Sequence, residues 1–382
     1  MKIPCQRCGG NHTRRHDFRT YRQISLKGVE SKGYQRWFCL DCKKPFIPLE
    51  LKRRDVSPYD AEVREQSTIL YIDTGGSYRA VMRQLHQWGL PHVQTHQVWE
   101  WIQDMGHRCA DPFAVSQRLH PQWSGWLQVD GDRIPVEGME VLIIVALDAN
   151  TRDVPCVILG RETEANYQEL FRQLKELNYP LKGLTSDGDT SILYAYKKVY
   201  PNGIHQRCTV HFQRNLDELL VPRFATYPQL PTEYERFQRA YHHFVSAPHW
   251  YQAKQWVRFF LYYPSFQRPV FKPARDLFLR SLPQIIPAFF HPGMARTNNL
   301  VENLMRFLDR RLTPMDRFHA RESAWAIVKL LILFYRFHQF DNPSKAYRHI
   351  KGKSPLQLAG VDTSKLFWLS VGTQGEKHTQ SQ

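Results

Sequence analysis

The sequence has no apolar leader and no run of apolar residues long enough to cross a bilayer. It opens Met1-Lys-Ile-Pro-Cys5, and its most apolar helical stretch, Ala324 to Tyr335, is short and interrupted by Lys329. The expectation is a soluble, cytoplasmic protein with no membrane partner, lying with the nucleoid if its source is bacterial or archaeal. Negative charge is also in short supply. Across 382 residues, 36 Asp/Glu stand against 52 Lys/Arg, and the net charge of +16 points to a polyanionic partner such as nucleic acid. Cysteine is scarce and odd in number. Seven residues with paired spacings argue against a disulfide framework and for metal binding in a reducing compartment.

The excess of positive charge is concentrated at the start of the chain, where residues 1–60 hold 14 Lys/Arg against 6 Asp/Glu. The same segment carries Cys5-Gln-Arg-Cys8 and Cys39-Leu-Asp-Cys42. Four thiolates at this spacing can complete a tetrahedral structural Zn²⁺ site, and strand-forming residues between them (Tyr21, Ile24, Leu26, Tyr34, Trp37, Phe38) make a zinc ribbon over 1–54 the natural reading. Arg14, Arg15, His16, Arg19, Arg22 and Arg36 are the candidates for phosphate contacts; a solvated basic surface is the plain alternative for any one of them.

Beyond Ser57-Pro58 the pattern turns helical, with helices expected over 59–71, 78–87 capped by Ser77, and 94–105, broken by Gly75-Gly76 and Gly89-Leu-Pro91. That order is a helix-turn-helix domain over 55–110, whose last helix would present Gln94, Thr95, Gln97 and Glu100 to DNA. A helical linker packed through Leu85, Trp88, Val98 and Trp101 is the competing reading. Residues 111–125 read as a connecting linker.

From Trp126 the chain alternates strand and helix. Strands are expected at Gly125–Val129, ending in Asp130; at Val141–Leu147, apolar throughout and so covered on both faces; and at Val154–Leu159. A helix capped by Thr163 follows, then a short strand ending at Asp187, a helix over 190–200, and a last strand near Ile204. Three strands, helix, strand, helix, strand is the order of a ribonuclease-H-like domain, here over 126–345. Residues 217–295 keep helical spacing with many aromatic rings and read as a helical insertion whose rings are mostly core. In Thr297–Leu312, Leu300, Val301, Leu304, Met305, Phe307, Leu308 and Leu312 share one arc, with Glu302 on the other. Residues 346–382 are a C-terminal segment whose polar end, from Gly372 to Gln382, reads as disordered.

Asp130 and Asp187 at strand ends and Glu302 on a helix packed against the same sheet would bring three carboxylates together. Such a set is stable only around cations. Hard oxygen ligands suit Mg²⁺ or Mn²⁺, and two such ions can activate a hydroxyl and stabilise the leaving oxygen of a phosphodiester. Asp132 and Asp189 lie close enough to substitute if the strand register differs.

These residues resemble the Mutator-like DDE transposases and their bacterial insertion-sequence relatives. The resemblance runs from about 124 to 360 and rests on VDGDRIPV around Asp130, TSDGDTSIL around Asp187, HQRCTVHFQRNL at 205–216, TNNLVENLMRFLDRR around Glu302 and GKSPLQLAG at 352–360. Cys208-x-x-His211 is similar to the family's own CxxH signature. The resemblance implies that Asp130, Asp187 and Glu302 are the catalytic, Mg²⁺-holding triad of a DNA transposase. It also implies that the protein binds the terminal repeats of an insertion sequence and target DNA, and acts as a homo-oligomer. A ribonuclease-H-like nuclease without joining activity and a catalytically silent DNA-binding regulator are the rival readings.

Overall fold

The computed structural model describes residues 3–48, 58–223, 226–227, 230–313 and 317–373. Two compact units form, Met1–Arg108 and Cys109–Gln382. The expected boundary between ribbon and helices at 54/55 falls outside the described residues.

The first unit opens with an antiparallel sheet, β1 (Thr13–Ser25), β2 (Gly28–Cys39) and β3 (Lys44–Phe46), in that order. Most of the β1–β2 hairpin is exposed, so its apolar packing is confined to the base, where Cys5, Cys39 and Phe46 are buried against Ile3 and Trp37. So small a core calls for a further cross-link. Ile24 pairs with the backbone of Pro58 and Asp60, and Asp60 then caps α1 (Ala61–Thr74) by accepting from Val63 N. Gly75, at φ 62°, closes that helix by donating to Tyr71 O, a left-handed position suited to glycine. Ser77 caps α2 (Tyr78–Gln87) as the sequence suggests, and α3 (Thr95–Arg108) runs one turn further than expected. Val63, Ile72, Val81, Leu85, Val98 and Ile102 are buried.

The second unit is built on a five-stranded sheet: β4 (Trp126–Val136), β5 (Met139–Asp148), β6 (Cys156–Gly160), β7 (Gly183–Ser186) and β8 (His205–Arg207), in the order β6-β5-β4-β7-β8. β4, β7 and β8 are parallel, and β5 runs against both its neighbours. The stretch read as a linker instead holds α4 (Pro112–Leu119), because Asp111 caps it and Pro112 is preset for the first helical turn. Ser116 ties it to Pro155 O at 2.7 Å. Helices α5 (Glu164–Glu176, capped by Thr163) and α6 (Thr190–Val199) cover one face of the sheet. There Leu127, Val129, Ile144 and Leu184 meet Tyr167, Phe171, Ile192 and Tyr196, and each such fully buried side chain stabilises the fold by about 2 kcal/mol.

After α7 (Thr209–Leu220), the stretch expected as a helical insertion holds α8 (Leu230–Ser246), α9 (Trp250–Tyr262) and α10 (Lys272–Ile285). Its core is aromatic, with Phe237, Tyr241, Phe244, Phe260 and Phe278 buried, so most of the rings are core as expected. α11 (Asn299–Leu312) and the buried α12 (Arg321–Phe337) follow. α13 (Pro355–Leu358), with a Ser354/Gln357 capping box, and α14 (Trp368–Gly372) end the described chain. Gly372 and Thr373 are ordered, Gly372 O accepting from Ala110 N at 2.8 Å, which corrects the reading of the tail from Gly372 onward; 374–382 lie outside the described residues.

Two buried acids fix the sheet's far end. Asp148, at the end of β5, accepts from Ser124, Gly125, Thr151 and the Tyr179 hydroxyl. Asp153 takes both ends of the fully buried Arg336 guanidinium at 2.8 and 2.9 Å, together with Trp123 Nε1 at 2.9 Å. No helix among the described residues is long and apolar enough to cross a membrane.

Candidate functional site

β4 does not end at Asp130. It continues six residues further because β5 keeps pairing with it, Asp130 opposite Val145 and Val136 opposite Met139. On its other edge the partner does stop: β7 pairs with β4 only from Gly183 to Thr185 and leaves the sheet after Ser186. Asp130 therefore sits where β4 runs on past its parallel neighbour, and Asp187 is the first residue beyond that neighbour's end. Gly188, at φ 93°, turns the chain against Arg207, where an added Cβ would lie 2.6 Å from the guanidinium Nε.

The two-residue period of β4 places Gln128, Asp130 and Asp132 on one face, opposite the face covered by α5 and α6. α11 docks on that face through polar contacts. The Gln128 carboxamide donates to Thr297 O at 2.9 Å and accepts from Val301 N at 3.2 Å. Asn298, fully buried, donates through Nδ2 to Asp130 Oδ2 at 3.1 Å. Val301, Leu304, Met305, Leu308 and Leu312 are buried and Glu302 sits in the first turn, as the helical spacing suggests.

The result is a concentration of negative charge. Burial, then the charge of Asp187, then those of Glu302 and Asp132, push the Asp130 carboxyl up to about 7, against the opposing pull of the Gly131 N–H. A cation at this place would remove that penalty. Asp189 is occupied otherwise, its Oδ1 accepting from Ser191 N and Ile192 N to cap α6. Asp132 lies against Asp309, whose carboxyl is raised by burial and by Asp132. Glu162, which sequence reasoning missed, is raised by burial and by the charges of Asp189 and Asp187. Its position in the loop before α5 carries no motif.

Cys208 and His211 stand beside this cluster. Cys208 leads into α7, is fully buried, and holds β7 through a 2.7 Å bond from its N to Ser186 O. His211 Nδ1 lies 3.7 Å from Glu302 Oε1, while Arg306 lies 3.7 Å from Oε2.

In the first unit the four sulfurs of Cys5, Cys8, Cys39 and Cys42 lie within 4.8 Å of one another. The Cys5–Cys42 and Cys8–Cys39 separations are 3.7 and 3.6 Å, close to the edge of a tetrahedron built on Zn–S bonds of about 2.3 Å. This donor set fits a structural zinc. The Cys42 thiol is pushed up to about 12 by burial and by bonding to the other three sulfurs, so a bound cation is what would make all four thiolates available together.

Among the other expected contact residues, Arg14, Arg15, His16, Arg19 and Arg22 are exposed along β1, with Arg19 and Arg36 paired to Asp17 at 2.9 and 3.4 Å. Gln94, just ahead of α3, and Glu100, on it, are exposed. Thr95 donates to Met82 Sδ, while Gln97 Oε1 accepts from Gln94 N in an exposed bond at the start of α3. His96 and the exposed Trp99 complete the outer face of α3, and the sequence reading passed over both.

Residues 128–243 match the sequence model described as Transposase, Mutator family. The matched segment includes Asp130, Asp187, Cys208 and His211 and stops short of Glu302. It supports a Mutator-like transposase family, and with it a transposase function and DNA binding in general terms. No curated protein matches the chain.

Proposed function

We propose that this protein, with its Mutator-family segment, is a DDE DNA transposase that cuts DNA at the ends of an insertion sequence and joins them to target DNA. The observation that carries this reading is the meeting of Asp130 and Glu302 with Asp187, drawn from β4, α11 and the end of β7, where burial together with the charges of Asp187 and Glu302 raises Asp130 to about 7. The parallel trio β4-β7-β8, flanked by β5 running against it and then by β6, supports a ribonuclease-H-like catalytic domain over 126–345, interrupted by the insertion at 217–295.

Two Mg²⁺ or Mn²⁺ ions held by Asp130, Asp187 and Glu302 would activate the attacking hydroxyl and stabilise the leaving oxygen. The side chains around them prepare that site. Asn298 holds Asp130 Oδ2 and the Gly131 N–H holds Oδ1, so the carboxylate is oriented before any ion binds. Asp187 Oδ1 is oriented by Asp189 N at 2.9 Å, and Arg207, whose Nε donates to Asp187 O at 3.3 Å, offers a cation to a scissile phosphate. In the first step water attacks a phosphodiester at the element end, the P–O3′ bond breaks, and a 3′-hydroxyl is freed. In the second, that hydroxyl gives up its proton and attacks a target phosphodiester by the same displacement.

The zinc ribbon (1–54) and the helix-turn-helix (55–110) would recognise the terminal repeats, with Arg14, Arg15, Arg19 and Arg22 on phosphates and Gln94, exposed just ahead of α3, at the bases. Pairing two ends calls for a homo-oligomer on DNA. The test is strand transfer with terminal-repeat oligonucleotides and a supercoiled target, in Mg²⁺ or chelator, for wild type and Glu302→Gln. Metal-dependent joining that the substitution abolishes is the expected result. Cleavage without joining would mark a nuclease, and tight binding with no cleavage a regulator.

A further inference from the structure

We propose a second metal site in the catalytic unit, a zinc ion held by Cys208, His211 and Glu302 that clamps the two chain segments flanking the helical insertion. The ligand atoms of these three residues all lie within 4.8 Å of one another. They come from positions that the insertion separates: Cys208 and His211 open α7 ahead of it, and Glu302 lies in the first turn of α11 behind it.

Two independent features point to an ion. The first is that the facing atoms lack partners. His211 Nδ1 and Glu302 Oε1 are shielded from solvent and neither makes a hydrogen bond. At 3.7 Å they are too far apart to bond each other and too close to admit a water between them. Leaving a buried donor or acceptor unpaired is costly, and a shared ligand would remove that cost for both atoms. The second is the setting of the sulfur. Cys208 is fully buried with its Sγ inside the cluster, and the backbone N–H groups of His211, Asn298 and Val210 are directed at that sulfur.

The donor set decides the metal. One thiolate, one imidazole and the Oε1 of Glu302 suit Zn²⁺ with a fourth position open, which leaves Glu302 Oε2 to join the oxygens of Asp130 and Asp187 in holding Mg²⁺. Access is available, since the His211 and Glu302 side chains keep 27% and 18% of their exposure. The backbone already draws these segments together at one place, Thr209 donating from N to Arg296 O at 3.0 Å. The ion would add a second tie one turn along each helix and fix the position of Glu302 relative to the sheet. The site does not depend on the transposase reading, because its existence is read from metal content.

The experiment counts zinc per chain by mass spectrometry in full-length protein dialysed against a buffered zinc solution, for wild type, His211→Gln, Cys208→Ser and Asp187→Asn. The expected result is one fewer ion in His211→Gln and Cys208→Ser than in wild type or Asp187→Asn, with the ribbon's zinc retained in all four. Co²⁺ substitution provides a second readout, since loss of the site removes one thiolate-to-metal absorption component in both variants. An equal zinc count in wild type and His211→Gln would overturn the proposal. His211→Gln is the decisive variant because the side chain is part-exposed and its loss leaves the core intact.

Discussion

Asn298 and Asp130 are 168 residues apart in the chain, and the bond from Asn298 Nδ2 to Asp130 Oδ2 joins the start of α11 to the middle of β4. Asn298 sits at the helix N-cap but makes no side-chain cap bond; its carboxamide is spent on the carboxylate instead. Loss of a buried hydrogen bond to a charged group costs about 1.5–3 kcal/mol. Asn298→Ala should therefore lower the urea midpoint of unfolding and, by releasing Asp130, slow metal-dependent strand cleavage by about 10- to 100-fold. Wild-type cleavage by a folded Asn298→Ala protein would show that this bond does not position Asp130.

The buried pair of Arg336 and Asp153 gives a second expectation. Both side chains are fully buried, and Arg336 also donates to Pro112 O at 3.1 Å. Removing one partner strands the other charge in the interior, so Arg336→Met should destabilise the second unit by about 3–5 kcal/mol. Asp153→Asn with Arg336→Met should cost less than the two single changes summed. Strict additivity in a denaturation cycle would contradict the coupling.

The order of strands and helices in the second unit was legible because Val141–Leu147, within β5, is apolar throughout and Thr163, Asp187 and Gly188 mark boundaries by local chemistry. Glu302's place was legible for a related reason: the helical period put Val301, Leu304, Met305 and Leu308 on one side, and they are buried there. The end of β4 was not. Asp130, Gly131 and Asp132 look like a strand terminus, yet pairing with β5 carries the strand through them to Val136, a tertiary effect that overrides local propensity. The 111–125 stretch misled through its proline, which starts α4 rather than breaking a chain. Long-range polar contacts such as Gln128 to Thr297 and Val301 leave no periodic trace, and neither does the approach of His211 to Glu302.

The four-cysteine cluster of the first unit yields a third expectation. Its packed base is little more than Cys5, Cys39 and Phe46, so the ion should supply most of its order. On treatment with a strong chelator, amide hydrogen exchange should rise sharply at Leu40 and Thr13, whose N–H groups bond His12 O and Asn11 O. Val81 and Leu85, in the buried face of α2, should keep their protection. Unchanged exchange across 5–46 after zinc removal would mean that the hairpin holds itself.

The last expectation concerns acid stability. Burial first, then the charges of Arg207 and Lys197, push His205 down to about 4, and its Nε2 lies 3.0 Å from Ser186 Oγ. A histidine lowered in the fold stays neutral where the unfolded chain, with a value near 6.5, already takes up a proton. Its contribution is thus fully present above about pH 6.5 and is lost as pH falls from there towards 4. The drop from 6.5 to about 4 sets a ceiling of about 3 kcal/mol on that loss. His205→Gln, which can still bond Ser186 but does not titrate, should unfold at a urea midpoint that falls less steeply between pH 6.5 and 4.5 than the wild type's. Parallel midpoints for the two proteins across that window would mean that His205 is protonated as readily in the fold as out of it, and that the junction of β7 and β8 is open to water.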